Sequence, residues 1–111
     1  METITWNDFE KIDIRVGTIL TANEFPKAKK PAFQLTIDFG ELGIKKSSAQ
    51  ITAHYSLEQL VGQQVIAVVN FPPRQIANFF SECLVLGIYD DNNDVVLLQP
   101  QAPVSNGLKV G

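Results

Sequence analysis

Over most of this chain hydrophobic and polar positions alternate with a period of two, and helical spacing is confined to two short stretches. Phe33, Leu35, Ile37 and Phe39 alternate with Gln34, Thr36 and Asp38, which predicts a strand with one face in a core. The segment "IDIRVGTIL" alternates too, Ile12, Ile14, Val16 and Leu20 against Asp13, Arg15, Gly17 and Ile19, with Gly17 expected to mark a bulge or tight bend. "IKKSSAQI" predicts a third strand, with Ile44, Lys46, Ser48 and Gln50 on one face and Lys45, Ser47, Ala49 and Ile51 on the other. "QVIAVVNF" and "ECLVLGIYD" are nearly continuous apolar runs and predict buried fourth and fifth strands. "DDNND" reads as a turn and "VVLLQP" as a sixth strand, before an extended tail, "QAPVSNGLKVG". Two capping boxes, Thr5 to Asp8 and Ser56 to Gln59, open the two short helices, the second stopped by Gly62.

The order is helix, three strands, helix, two or three strands and tail. Short strands at regular turn spacing predict an all-β fold, and a helix between strands three and four of five is the arrangement of the OB-fold, a Greek-key barrel binding ligands on the face of strands two and three. No repeat, low-complexity tract or linker interrupts residues 1–111, so one OB-fold domain is expected throughout.

Hydrophobic residues are 45% and charged residues 19%, the balance of a globular chain with a modest core. No apolar run approaches the roughly 18 residues of a membrane span, and the acidic start "METITWNDFE" lacks the pattern of a secretory signal. Cys83 is the one cysteine and reads as a buried thiol, so a cytoplasmic location without membrane insertion is expected. The net charge of −3 counts against gripping nucleic acid through the overall field. Yet Lys27, Lys29, Lys30, Lys45 and Lys46 make up five of the nine basic residues, and Arg74 stands in the connector "FPPRQIANFFSE".

Catalytic chemistry finds no constellation. His54 is the one histidine, reading as a solvated or capping loop residue, and no second ligand stands at metal spacing beside it. There is no Gly-rich phosphate loop or nucleophile elbow, and "DDNND" lacks the rest of a calcium loop. The chain is expected to bind rather than convert, with no cofactor, metal or catalytic residue.

The connector between strands four and five is the clearest candidate surface. Pro72 and Pro73 remove two backbone donors and are expected to hold it extended, while Asn70 can bond neighbouring backbone. Ile76, Phe79 and Phe80 supply more apolar area than a small barrel can bury; one phenylalanine is expected to plug the barrel end, without the pattern saying which. Lys45, Lys46, Ser47, Ser48 and Gln50 make a polar strip on strand three, although the two lysines cannot share a face. Trp6 and Phe9 near the start, with Val104, Leu108 and Val110 in the tail, form a second apolar set and predict a two-fold homodimer.

The stretches "DFEKIDIRVGTIL", "IDFG", "SSAQIT", "QVIAVVNFPPRQIA", "LVLG" and "DVVLLQP" resemble the small CsaA-type export chaperones. These belong to the tRNA-binding OB-fold group, whose relatives are appended to some aminoacyl-tRNA synthetases. The resemblance runs over essentially the whole chain and implies a dimeric OB-fold protein with a groove in each subunit. It implies binding of unfolded or precursor polypeptides, a link to the Sec export machinery, and tRNA as the alternative ligand. Carried over by position, "IKKSSAQIT" supplies a polar wall at Lys46, Ser47, Ser48 and Gln50. "NFPPRQIA" with "FFSE" supplies a lip at Asn70, Phe71, Pro72, Arg74, Ile76, Phe80 and Glu82.

Overall fold

The computed structural model describes all residues 1–111. Helix α1 (Trp6–Glu10) leads into β1 (Ile14–Glu24), β2 (Phe33–Asp38), a 3₁₀ turn (Gly40–Leu42) and β3 (Ile44–Ala49). Then come α2 (Leu57–Leu60), β4 (Gln64–Val68), a hairpin of β5 (Arg74–Ile76) and β6 (Phe79–Ser81), β7 (Leu84–Val85), and a second hairpin of β8 (Gly87–Tyr89) and β9 (Val95–Leu97). Both helices start at the expected capping boxes. Five strands form an antiparallel sheet in the order β3-β2-β1-β4-β7. It curls until the Glu82 N–H donates to the Lys46 carbonyl at 2.7 Å and the Glu82 carboxylate accepts the Lys46 N–H at 2.9 Å. The result is a nearly closed five-stranded OB-fold barrel with α2 between β3 and β4.

β1 does more than the alternation foretold. It runs to Glu24 rather than stopping at Leu20, pairing with β4 along Ile14–Thr18 and with β2 along Thr18–Glu24. The bulge that lets one strand serve both neighbours lies at Leu20, where the register slips between Ile19 and Thr21. Gly17 is therefore not the bulge. It faces the core, where a Cβ would meet Ile37 and the Phe39 ring. The core joins Ile19, Phe33, Leu35, Ile37 and Phe39 to Ala49, Ile51, Leu60, Val65, Ala67 and Cys83.

Val16 and Val68 are buried without joining that core. Cross-strand pairing puts Val16 opposite Ile66 and Ile14 opposite Val68, so these four share the outer face of β1 and β4. The tail lies along the edge of β1 that β2 leaves free: Gly107 N–H donates to Val16 O, Val16 N–H to Leu108 O, and Val110 N–H to Ile14 O. Gln64 bonds both backbone groups of Val104, and Thr18 donates to the Asn106 side chain at 2.8 Å. Gly107, at φ +90°, passes so close to the Phe39 carbonyl that any Cβ would overlap it.

Two expectations fail here. "ECLVLGIYD" is not one buried strand: β7 pairs with β4 but leaves Leu84 exposed, while β8 peels away to pair with β9, with Ile88, Tyr89 and Val96 exposed. Pairing partners alone decide this, because an apolar run reads the same whether or not another element covers it. Nor is the Pro-containing connector simply extended. Past Pro73 it folds into the β5–β6 hairpin, with Ala77 at φ 53° in the turn.

Candidate functional site

The outer face of β1, β2 and β3 is polar. Directly opposed residues share a face, so Thr21 of β1, Thr36 of β2 and Lys46 of β3 form one row, with Gln34 and Ser48 beside it. Thr21 and Thr36 join their hydroxyls at 2.6 Å. Alternation along β3 foretold Lys46 and Ser48 on this face, but Thr21, Thr36 and Gln34 were missed, because only register brings them alongside.

The β5–β6 hairpin stands over this face at the closing edge of the barrel. The Ser48 N–H donates to Ser81 Oγ at 3.2 Å, tying hairpin to strand. Phe79 packs on the buried Phe25, ring centroids 5.4 Å apart, and Lys46 Nζ lies 5.4 Å above the Phe79 ring. The loop carrying Lys27, Lys29 and Lys30, the hairpin and β3 thus meet at one aromatic contact. The pairing of Gln75 with Phe80 and of Ile76 with Phe79 puts the two phenylalanines on opposite faces. Phe79 is the anchor, and Phe80, 48% exposed, is the free ring. Phe71 is also exposed, as are Pro72, Arg74 and Gln50, while Ile76 is half-buried. Arg74 and the five lysines named above make no ion pair, the only Lys or Arg pair in the chain being Arg15 with Asp13.

Three residues expected at the site are engaged elsewhere. Ser47, 1% exposed, lies inside the barrel and donates to the Cys83 carbonyl at 3.0 Å, so it belongs to the core face and not to the polar wall. Asn70 clasps the N-terminal segment, accepting from Asp13 N–H at 3.0 Å and donating to Lys11 O at 2.7 Å. The Glu82 carboxylate closes the barrel on Lys46, leaving its charge partly satisfied. Lys45 is half-buried on the Ser47 side of β3. Burial pushes the Cys83 thiol up to about 11, against the opposing pull of the Ser47 hydroxyl and Lys45, so it stays protonated and unreactive near neutrality.

Two concavities lie away from this face. One of about 380 Å³ is lined by Ile4, Thr5, Trp6, Phe9 and Gly111, so the last residue of the tail meets the N-terminal helix. Trp6 is exposed there and Phe9 half-buried, while Val104, Leu108 and Val110 are exposed along the tail. The other, of about 270 Å³, lies among His54, Tyr55, Gln59, Leu60, Gln63, Leu97 and Gln99. His54, Asp90 and Asp94 each bring a ligand atom within 4.8 Å of the others. The Asp90 carboxylate is already filled, by His54 Nε2 at 2.7 Å and by the N–H groups of Asn92 and Asp94 at 2.9 Å. Those bonds tie the β8–β9 turn to the loop after β3.

Comparison with known proteins gives the arrangement its context. Residues 14–109 match the family described as "Putative tRNA binding domain". The chain belongs to this tRNA-binding OB-fold family, and to its CsaA-type branch. The crystal structure of chaperone CsaA from Bacillus anthracis is 53% identical, with a TM-score of 0.94 over 99% of this chain and 100% of that one. The CsaA chaperone from Picrophilus torridus is 52% identical, with a TM-score of 0.92 over 98% and 100%. A methionine–tRNA ligase from Porphyromonas gingivalis is 39% identical over 109 residues, 98% of this chain but 16% of that protein. The chain spans about a sixth of the ligases it matches and the full length of the CsaA chaperones. Over these 111 residues the chain is thus CsaA-like.

Proposed function

We propose that this CsaA-type domain is a homodimeric, chaperone-like protein that binds unfolded or precursor polypeptides across the face of β1–β3, beneath the lip of the β5–β6 hairpin. The observation that carries this reading is the pair of exposed rings, Phe71 and Phe80, on a connector that Phe79 and Ser81 lock to the barrel. Rings exposed on a rigid support bind with little ordering cost. Thr21, Gln34, Thr36 and Ser48 on the outer face of β1–β3 offer side-chain bonds to any extended backbone, which suits sequence-tolerant binding. Its full-length structural relatives are described as chaperones, which agrees with this reading.

Support for the dimer comes from other exposed apolar residues. Leu84, Ile88 and Val96 are exposed on one side, and Trp6 (70% exposed), Val104, Leu108 and Val110 at the chain ends. Exposed apolar area of this kind marks association surfaces. Sedimentation showing a monomer at micromolar concentration overturns this part. Hand-off to the Sec export machinery and a cytoplasmic location complete the proposal, the latter supported by the free, buried thiol of Cys83.

A second reading, a tRNA-binding module, is favoured by the lysines that surround the Phe79 contact and by the family's description. Anisotropy titrations of a labelled unstructured peptide and a labelled tRNA, each at about 50 and 200 mM salt, separate the two. Peptide binding that survives the higher salt supports the chaperone. Phe80→Ala should then weaken it by about 1–3 kcal/mol. Tight tRNA binding that collapses with salt, and is lost on joint Lys45→Glu and Lys46→Glu substitution, reverses the order.

A further inference from the structure

The charge around this face is the opposite of the charge of the whole chain. Residues 25–33, 44–50 and 70–82, which meet at the Phe25–Phe79 contact, hold six of the nine basic residues: Lys27, Lys29, Lys30, Lys45, Lys46 and Arg74. They hold one of the twelve acidic residues, Glu82, whose carboxylate is hydrogen-bonded to the Lys46 N–H. Five of the six cations are exposed, and none has an ion-pair partner. The remainder of the molecule is strongly acidic.

We infer that the polypeptide segments this face selects are acidic and apolar: extended chain carrying Asp or Glu beside aromatic or aliphatic side chains. This rests on the reading of the face as a polypeptide groove and adds its specificity. Phe71 and Phe80 take the apolar side chains, while Lys46, Arg74 and the 27–30 loop pair with carboxylates. A basic segment meets the five exposed cations there and one carboxylate that is already bonded. Specificity then comes from repulsion as much as attraction. The surrounding acidic surface does not cancel the effect, because charges beyond about 8–10 Å are screened at physiological salt.

The test uses three labelled peptides with one Phe/Leu skeleton whose intervening positions are all Glu, all Gln or all Lys. An exposed ion pair is worth roughly a 1.4- to 5-fold factor, so three of them give a preference on the order of tenfold for Glu over Lys. That preference should hold at about 50 mM salt and shrink toward parity at about 300 mM, where the Debye length falls to near 5–6 Å. Joint Lys46→Glu and Arg74→Glu substitution should reverse it. Because Lys46 also packs on Phe79, a second variant with Lys27, Lys29 and Lys30 all changed to Glu repeats the test on exposed loop positions.

The inference is overturned if the Lys peptide binds as tightly as the Glu peptide while the Gln peptide still binds, or if both variants keep the Glu preference. Failure of all three peptides to bind overturns the groove reading itself. If an unlabelled tRNA displaces the Glu peptide at a concentration about a hundredfold lower than the unlabelled peptide needs, the patch is a phosphate site and the choice of polypeptide is wrong.

Discussion

Gly17→Ala is the sharpest test of how this barrel is packed. A Cβ at position 17 would lie 2.7 Å from Ile37 Cγ2 and 2.8 Å from Cδ1 and Cε1 of Phe39. Apolar carbons rest about 3.5–4.0 Å apart, so the neighbours must yield by roughly 0.7–1.3 Å. Ile37 and Phe39 are both fully buried and have little room to do so. Phe39 is also held through its backbone, donating to Gly43 O at 3.0 Å, with Gly107 pressed against its carbonyl. Overpacking a filled core by one methyl costs about 1–3 kcal/mol. For a chain of this size that lowers Tm by about 4 °C per kcal/mol, or some 4–12 °C in all. Urea and thermal unfolding followed by circular dichroism measure both quantities. Phe39→Leu should partly rescue the variant, because it removes ring atoms the methyl strikes, and the two changes should couple by more than about 0.5 kcal/mol in a double-mutant cycle. A Gly17→Ala protein within about 0.5 kcal/mol of wild type, with additive behaviour in the cycle, would refute the argument. Position 17, whose φ lies outside the left-handed region, would then need glycine neither for space nor for backbone conformation.

Three further outcomes follow from the geometry. Ser47→Ala should cost about 1 kcal/mol through the lost buried bond to the Cys83 carbonyl and leave peptide affinity unchanged; loss of affinity at full stability would return Ser47 to the ligand wall. Ala77→Gly should stabilise the β5–β6 hairpin by a few tenths to about 1 kcal/mol, since relief of the left-handed strain exceeds the added chain entropy; destabilisation in urea melts contradicts it. Asp90 has its carboxyl held below the ordinary value of 3.8, first by the Asp94 N–H and then by His54. A depressed carboxyl contributes stability above that value and loses it as pH falls through the folded-state pKa. Asp90→Asn should therefore be less stable than wild type at neutral pH, the gap closing in acid; a gap constant with pH rules out this linkage.

Much of the fold and part of the site were legible because their causes are local. The two capping boxes, the strict alternation from Phe33 to Phe39 and the turn at Asp90–Asp94 depend on residues within a few positions of one another, and each stands where the pattern put it. Alternation likewise groups Lys46 with Ser48 on one face of β3, and the connector is expected to leave one of Phe79 and Phe80 exposed without the pattern saying which; the structure exposes Phe80. Strand register and long-range pairing decided the rest. Whether Ser47 is wall or core depends on which face of β3 meets Leu35 and Cys83, and a two-residue period reads identically with either face inward. Asn70 and Glu82 looked free until the fold brought Lys11 and Asp13 to one and Lys46 to the other. The sequence could count six cations and two exposed rings in separate segments. Only the closed barrel, through the contacts of Phe79 with Phe25 and Lys46, brings those segments together, with Lys45 and Phe80 turned to the opposite faces of their strands.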